Sequence, residues 1–172
     1  AITGATTISA SGQNITLSDA SSTFGTLALT GANVAVTDAG AVDLGTSTVS
    51  GTLGITSGGA VTDSGTLAIT GVTTISASGQ DITLNDASST FGTLVLTGAN
   101  VAVTEAAATD LGASTVSGTL GITSTGAVTD SGTLAIAGAT TISASGQDIT
   151  LSDASSTFGT LALTGANVAV TD

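Results

Sequence analysis

Apolar residues alternate with small or polar residues along most of the chain, as in LALT at residues 27–30 and VAVT at residues 34–37. A period of two residues is typical of a β-strand with one buried face. The segments are rich in Val, Ile and Thr, which favour strands, and turns of Gly, Asn, Asp and Ser separate them. No segment has the spacing of an amphipathic helix. The pattern therefore predicts an all-β protein with strands of about four residues.

This pattern is itself repeated along the chain, since TTISASGQ begins at positions 6, 73 and 140. The 67-residue period divides the chain into two full copies, residues 5–71 and 72–138, and a partial third copy, residues 139–172. The two full copies differ at ten positions of the first copy: 5, 14, 18, 28, 38, 40, 42, 46, 58 and 70. Leu, Ile and Phe never change, and one apolar residue becomes polar, Val42 to Thr109. Tandem copies that keep every Leu, Ile and Phe indicate a stacked repeat architecture.

Short strands, tight turns and tandem copies together predict a right-handed parallel β-solenoid. We expect three coils in each repeat, at residues 52–71, 72–92 and 93–118, of which the third is the longest. Coils stack about 4.8 Å apart, so the chain would form a rod of about 7.7 coils. Residues 1–172 would then be one continuous solenoid segment, without a capping repeat at either end. We expect it to belong to a longer array, or to stack end to end with copies of itself.

The predicted core consists of the apolar residues that point inward from the strands. One large aromatic residue per copy would fill the place where the coil widens. These predicted core residues are Ile8, Leu27, Leu29, Val34 and Val36, with the fillers Phe24, Phe91 and Phe158.

Charge is the most unusual part of the composition. The 172 residues include 12 Asp and Glu but no Lys, Arg or His, which gives a net charge of −12. Without cations the chain has no group to neutralise a nucleic-acid backbone or an anionic lipid surface. No apolar run approaches the roughly 20 residues of a membrane span. We therefore expect neither nucleic-acid binding nor membrane insertion.

The hexapeptide VTDSGT occurs twice, at residues 61–66 and 128–133, and resembles the loop that carries the catalytic carboxylate of aspartic proteases. Such an enzyme needs two carboxylates that share one proton. Asp63 and Asp130 lie one period apart, or about 14 Å along the predicted rod. Asp, Ser and Gly are also ordinary turn residues. We therefore interpret both hexapeptides as turns and expect no catalytic residues.

Other catalytic chemistry lacks its residues as well. No His, Lys or Cys is present to activate a Ser or Thr nucleophile, and His and Cys are the ligands that zinc prefers. We expect no enzyme and no cofactor. Calcium is the exception, because it needs only oxygen ligands. Asp81 and Asp86 lie close together in the sequence, as do Asp148 and Asp153, and these four are weak candidates for calcium ligands. The alternative is that they are solvated acids of turns.

A Thr-rich solenoid face suggests a second class of function. Regular Thr-x-Thr ranks could bind ice, and a calcium-dependent face could bind a glycan or another surface. The Thr spacing varies, however, as in TTIS, TLALT and TSTVS. Asn33, Asn100 and Asn167 recur in TGANVAV, where they would satisfy turn backbone or form side-chain ladders.

GTLAITG, GAVTDSGTL and GTLALTGANVAVTDAGAVDLG resemble the repeats of filamentous haemagglutinin-type exoproteins and autotransporter passengers. Those proteins are secreted right-handed β-helices of Gram-negative bacteria that act as adhesins or surface fibres. The resemblance implies an extracellular, structural protein at the bacterial cell surface. Two hypotheses remain within that class: a stalk in a long adhesin, and a filament of short subunits whose partner is the chain itself.

Overall fold

The computed structural model describes all 172 residues, and every regular element in it is a β-strand. The 21 strands are β1 (Thr6–Ser9), β2 (Ile15–Leu17), β3 (Thr26–Gly31), β4 (Val34–Asp38), β5 (Val42–Leu44), β6 (Ser47–Val49), β7 (Leu53–Ser57), β8 (Val61–Asp63), β9 (Leu67–Ile69), β10 (Val72–Ser76), β11 (Ile82–Leu84), β12 (Thr93–Gly98), β13 (Val101–Glu105), β14 (Thr109–Leu111), β15 (Ser114–Val116), β16 (Leu120–Ser124), β17 (Val128–Asp130), β18 (Leu134–Ser143), β19 (Ile149–Leu151), β20 (Thr157–Thr164) and β21 (Val168–Val170). The predicted all-β class is confirmed. The structure has no helix of the length and apolar character that a membrane span requires.

All strand pairs are parallel and join strands of successive turns, so the fold is a β-solenoid of about eight turns. Strand β4 pairs with β7, β7 with β10 and β10 with β12. A parallel β-bridge at Phe24, and another at Thr90, each occupy a strand position without forming a full strand. With these bridges counted, a strand position pairs with the third position that follows it. Each turn therefore has three faces, and the strand positions stacked on one face form a column.

The 67-residue period does not match a whole number of turns. One copy contains ten strand positions, namely β1 to β9 and the bridge at Phe24. Ten positions make three turns and one further face, so the second copy is rotated by one face relative to the first. Strand β7 lies in the column of β4, β10 and β12, whereas its equivalent β16 lies in the column of β8, β11 and β13. Equivalent residues therefore lie on different faces, about 16 Å apart along the axis.

The lengths of the turns differ from the predicted division into coils. The turn that separates the paired residues Thr26 and Asp43 is shorter than the turns that separate Ile2 from Phe24 and Ala68 from Thr90, which we call the widened turns. The predicted long coil at 93–118 is wrong, because Thr93 already pairs with Asp110 in the following turn. Strand β12 is long enough to pair with both β14 and β15, which the sequence pattern of either short strand does not reveal.

The core is one continuous cluster of 33 buried apolar residues inside the three faces. Leu27, Leu29, Val34 and Val36 are at most 2 % exposed, and Phe91 is 6 % exposed. Ile8, Phe24 and Phe158 are partly buried and pack against the same cluster. Inward residues of successive turns are in register, for example Val34 with Leu53. Each turn thus buries its apolar side chains against the turns above and below it.

One tight loop of each copy requires glycine. Gly12, Gly79 and Gly146 of the SGQ turns have φ angles of 74°, 74° and 78°. A side chain would strain this left-handed conformation, although a Cβ atom at any of the three would meet no other atom within 4 Å. The glycines are therefore needed for the backbone angle and not for space.

Candidate functional site

The molecule contains no pocket, and no group of three or more His, Cys, Asp or Glu side chains could together hold a metal ion. The polar groups that could carry function are instead the acids, amides and hydroxyls along the faces and turns. Eleven of the twelve acids accept a hydrogen bond from a backbone N–H, a hydroxyl or a side-chain amide; the twelfth is Asp172 at the end of the chain.

Asp63 of the first VTDSGT sequence ends strand β8, and Ser64 and Gly65 form the bend that follows. Its carboxylate accepts hydrogen bonds from the backbone N–H groups of Asn85, at 2.8 Å, and Asp86, at 3.2 Å, in the next turn. Asp130 accepts the corresponding bonds from residues 152 and 153. Because β8 and β17 belong to different columns, the two carboxylates do not form a protease-type dyad. Each one fixes the start of the loop in the following turn.

In each calcium-candidate pair, the two acids have hydrogen-bond partners in different turns of the solenoid. Asp81 accepts hydrogen bonds from the backbone N–H and the side-chain amide of Asn100, at 3.1 and 2.9 Å, in the following turn. Asp86 accepts bonds from Ser88 and from Thr66, which lies in the preceding turn.

The second pair, Asp148 and Asp153, has the same arrangement, with Asn167 in the following turn and Thr133 in the preceding turn. The N–H of Ser155 and the hydroxyl of Thr133 lower the pKa of Asp153. Asp19 lies at the equivalent position of the first copy, and its pKa is lowered by the hydroxyl and N–H of Ser21. These hydrogen bonds favour the ionised carboxylates. The acids therefore serve as hydrogen-bond acceptors that order the loops between strands.

The asparagines of TGANVAV form the predicted ladders. The side-chain amide of Asn33 donates to Asn14 at 3.0 Å, and its Oδ1 accepts bonds from the N–H and hydroxyl of Thr52. Only the acceptor oxygen of Asn14 takes part in this ladder, whereas Asn33 uses both its donor and its acceptor. The exchange of Asn14 for Asp81 in the second copy therefore preserves the ladder.

A buried acid was not predicted from the sequence. Asp38 is 2 % exposed; its Oδ2 accepts the N–H of Phe24 at 2.8 Å, and its Oδ1 accepts the N–H of Gly40 at 2.7 Å. Glu105, the equivalent residue of the second copy, is 1 % exposed. Its Oε1 accepts the N–H of Phe91 at 2.8 Å, and its Oε2 accepts the hydroxyl of Thr109 at 2.8 Å. Both acids thus hold the backbone of the phenylalanine that fills the widened turn.

The exchange of Val42 for Thr109 is explained by this site. The longer side chain of Glu105 places its second oxygen next to position 109, where a hydroxyl replaces a methyl group. Burial raises the pKa of Glu105, while the bonds from Phe91 and Thr109 act in the opposite direction. The signal in the sequence was the clustering of three differences at positions 38, 40 and 42.

A rank of outward hydroxyl groups follows one face through five successive turns. Register pairs place Thr37, Thr56, Ser76, Thr97 and Thr115 side by side in this column, which we call the hydroxyl rank. The preceding outward position along the strands carries residues of mixed type: Ala35, Gly54, Thr74 and Val95. The face therefore has one hydroxyl rank and not the paired ranks of a Thr-x-Thr surface.

Comparison with known proteins identifies the repeat. A family model described as repeats of unknown function (DUF5649) matches residues 1–30, 31–97 and 98–165. The chain therefore belongs to this repeat family, and the second and third matched units begin one full period apart, at positions 31 and 98. No curated protein and no solved structure is significantly similar to the chain.

Proposed function

We propose that the chain is a structural, non-enzymatic segment of an extracellular fibre or adhesin stalk. The observation that carries this proposal is the continuous stacking of strand positions, in which each column passes through successive turns in register. Backbone hydrogen bonds in such columns run along the rod axis, so an axial load is shared among three parallel ladders. Membership of a repeat family agrees with a structural role.

The absence of Lys and Arg from the chain supports a location outside the cell. Without Lys or Arg the rod offers no site for trypsin-like proteases. The partner in this proposal is another copy of the chain or the neighbouring part of a longer array, since parallel edges pair with further strands. The site described above serves this role by ordering turns, as with Asp63 and the loop at Asn85.

Electron microscopy of native material, on cells and after shearing, tests the proposal. Continuous uniform fibres with an axial spacing of about 4.8 Å are expected if the filament itself is the function. Short separate stalks at the cell surface are expected for the adhesin. The Leu27→Asp variant is the control, because a charge at a position that is 0 % exposed should prevent folding and remove either object. Globular particles without an axial repeat would refute the rod.

A surface-binding module is the second candidate, and the hydroxyl rank is the observation that favours it. Thermal hysteresis of the purified chain measures ice binding directly. If the rank binds ice, Thr56→Val should reduce the hysteresis, whereas Thr62→Val, outward on a neighbouring face, should not. Absence of hysteresis would contradict ice binding and leave the structural rod as the better account. The adjacent outward rank, which includes Ala35 and Gly54, would then explain the result, because it lacks a second row of hydroxyl groups.

A further inference from the structure

The buried acid of each copy lies at the same place in the fold but has different partners. Asp38 accepts two backbone N–H groups, which can only donate. Glu105 accepts one backbone N–H and one hydroxyl, which can donate or accept. Because both acids hold the N–H of the phenylalanine in the widened turn, we call each acid with its partners a latch.

We propose that acid stabilises the latch of the second copy, because Glu105 can bind a proton and keep both of its partners, whereas the first latch offers only N–H donors. At Asp38 both partners are backbone N–H groups, and neither of them can accept a proton from the carboxyl group. At Glu105, the proton can lie between Oε2 and Thr109, whose hydroxyl then accepts. Protonation of Glu105 therefore relieves the second latch of a buried charge.

No cationic side chain compensates for the ionised form of either acid. The chain has no Lys, Arg or His. The titratable residues on the elements around Glu105 are Asp86, Asp110 and Asp130. Asp86 accepts bonds from Ser88 and Thr66. Asp110 accepts bonds from the hydroxyls of Thr93, Thr129 and Ser131, and Asp130 accepts the N–H groups that begin the next loop.

The surroundings of Asp38 are equivalent. The titratable residues there are Asp19, Asp43 and Asp63, and each of them accepts bonds from other donors. The exchange of Gly40 for Ala107 is not the decisive one, because a Cβ atom at Gly40 would lie 3.5 Å from Asp38 Oδ1, an ordinary contact. The response is therefore set by the acid and by the residue four positions later, Val42 or Thr109.

The sign of the response at Glu105 follows from its surroundings. Burial raises the pKa of Glu105 in the folded chain above that in the unfolded chain. Between these two values the folded chain holds a proton that the unfolded chain does not, so stability rises as the pH falls through this window. Below the unfolded value the gain is complete.

Amide hydrogen exchange of the intact chain at pH 4.5 to 7.5, corrected for intrinsic rates, tests the proposal at the two phenylalanine N–H groups. Since the rod is one molecule, the N–H of Phe24 is the internal control for that of Phe91. The ratio of Phe91 protection to Phe24 protection should rise as the pH falls. A ratio that is constant or falls would overturn the proposal.

Two amide variants test the same idea without a pH change. In Glu105→Gln the side-chain oxygen can accept the Phe91 N–H while the NH2 group donates to Thr109, so protection at Phe91 should be kept or increased at pH 7.5. In Asp38→Asn the NH2 group must face a backbone N–H, and protection at Phe24 should fall by roughly 5- to 100-fold. Equal losses in both variants would show that the two latches do not differ.

Global unfolding by urea separates the latch from a general loss of structure. Glu105→Gln should raise the urea midpoint at pH 7.5 and remove the acid-dependent gain. Adding Thr109→Val to Glu105→Gln should reverse this increase, because the buried NH2 group then has no acceptor. If Glu105→Gln lowers the midpoint as much as the double variant does, the hydroxyl of Thr109 is not the partner that permits protonation.

Discussion

Substitution of Thr73 tests directly how a buried, unpaired hydroxyl group affects the stability of the core. Its side chain points into the core and is 0 % exposed, but its hydroxyl has no hydrogen-bond partner. In register with it are Leu53 in the turn below and Leu94 in the turn above. Thr140 of the third copy is also 0 % exposed with an unpaired hydroxyl, and the hydroxyl of Thr6 is unpaired as well.

Replacing Thr73 by Val keeps the branched shape and removes the unpaired hydroxyl. A buried polar group without a partner costs about 1–3 kcal/mol, and the added methyl group contributes less than about 1 kcal/mol of further burial. We therefore expect Thr73→Val to stabilise the chain by at least about 1 kcal/mol. Thr140→Val should give a similar gain that adds to the first, since the two sites share no partner.

Urea unfolding monitored by circular dichroism is the appropriate measurement. The midpoint should rise at an unchanged slope, which shows that stability and not the unfolded ensemble has changed. Thr74→Val is the matched control, because it makes the same chemical change at an exposed neighbour and should shift the midpoint little. A lower midpoint for Thr73→Val would refute the reasoning, since it would show that the hydroxyl makes a stabilising bond.

Three further predictions follow from particular contacts. Leu94→Ala should cost about 2–5 kcal/mol in urea unfolding, because the side chain is 0 % exposed and its loss leaves a cavity; a cost below about 1 kcal/mol would contradict the register. Asn100→Asp should cost about 0.5–1.5 kcal/mol, because it removes the donor to Asp81 and faces that residue with a second carboxylate, whereas Asn14→Asp should be nearly neutral. Asp153 has a lowered pKa when folded, so its contribution is present above the ordinary value of 3.8 and is lost as the pH falls through the folded value. Asp153→Asn should therefore reduce the acid-dependent loss of stability in that range, and an unchanged acid profile would contradict this assignment.

The sequence was sufficient to predict the class of fold because the information is local and repeated. Alternation in segments such as 34–37 marks the buried face of a strand, and the tandem copies require each strand to stack on others. The register between strands was harder to predict, because a turn of the solenoid can gain or lose residues between strands without changing the alternation of apolar and polar residues. The short step from Thr26 to Asp43 depends on the continuation of β3 beneath both β5 and β6.

The buried acid shows a different limit of sequence reasoning. An Asp that follows a strand and precedes Ala-Gly has the composition of an exposed turn, and the sequence contains no cation that would indicate a buried charge. What makes Asp38 buried is the widened turn beneath it, whose backbone offers the free N–H of Phe24. That donor belongs to the preceding turn of the solenoid, so its approach to Asp38 is apparent only when the turns are stacked.

The mismatch between ten strand positions and three faces has a consequence for longer arrays of these repeats. Each added copy rotates the next by one face, so a given loop reappears on the same face only after three copies, which correspond to ten turns or about 48 Å. Every face then presents all parts of the repeat in turn, and the rod has no face composed of one kind of residue. Gain or loss of a single copy would preserve the core, because strand positions still stack in threes, but it would turn everything beyond it by one face. The number of copies can thus change without loss of folding, whereas the face on which a given loop lies beyond the change is kept only when copies are gained or lost in threes.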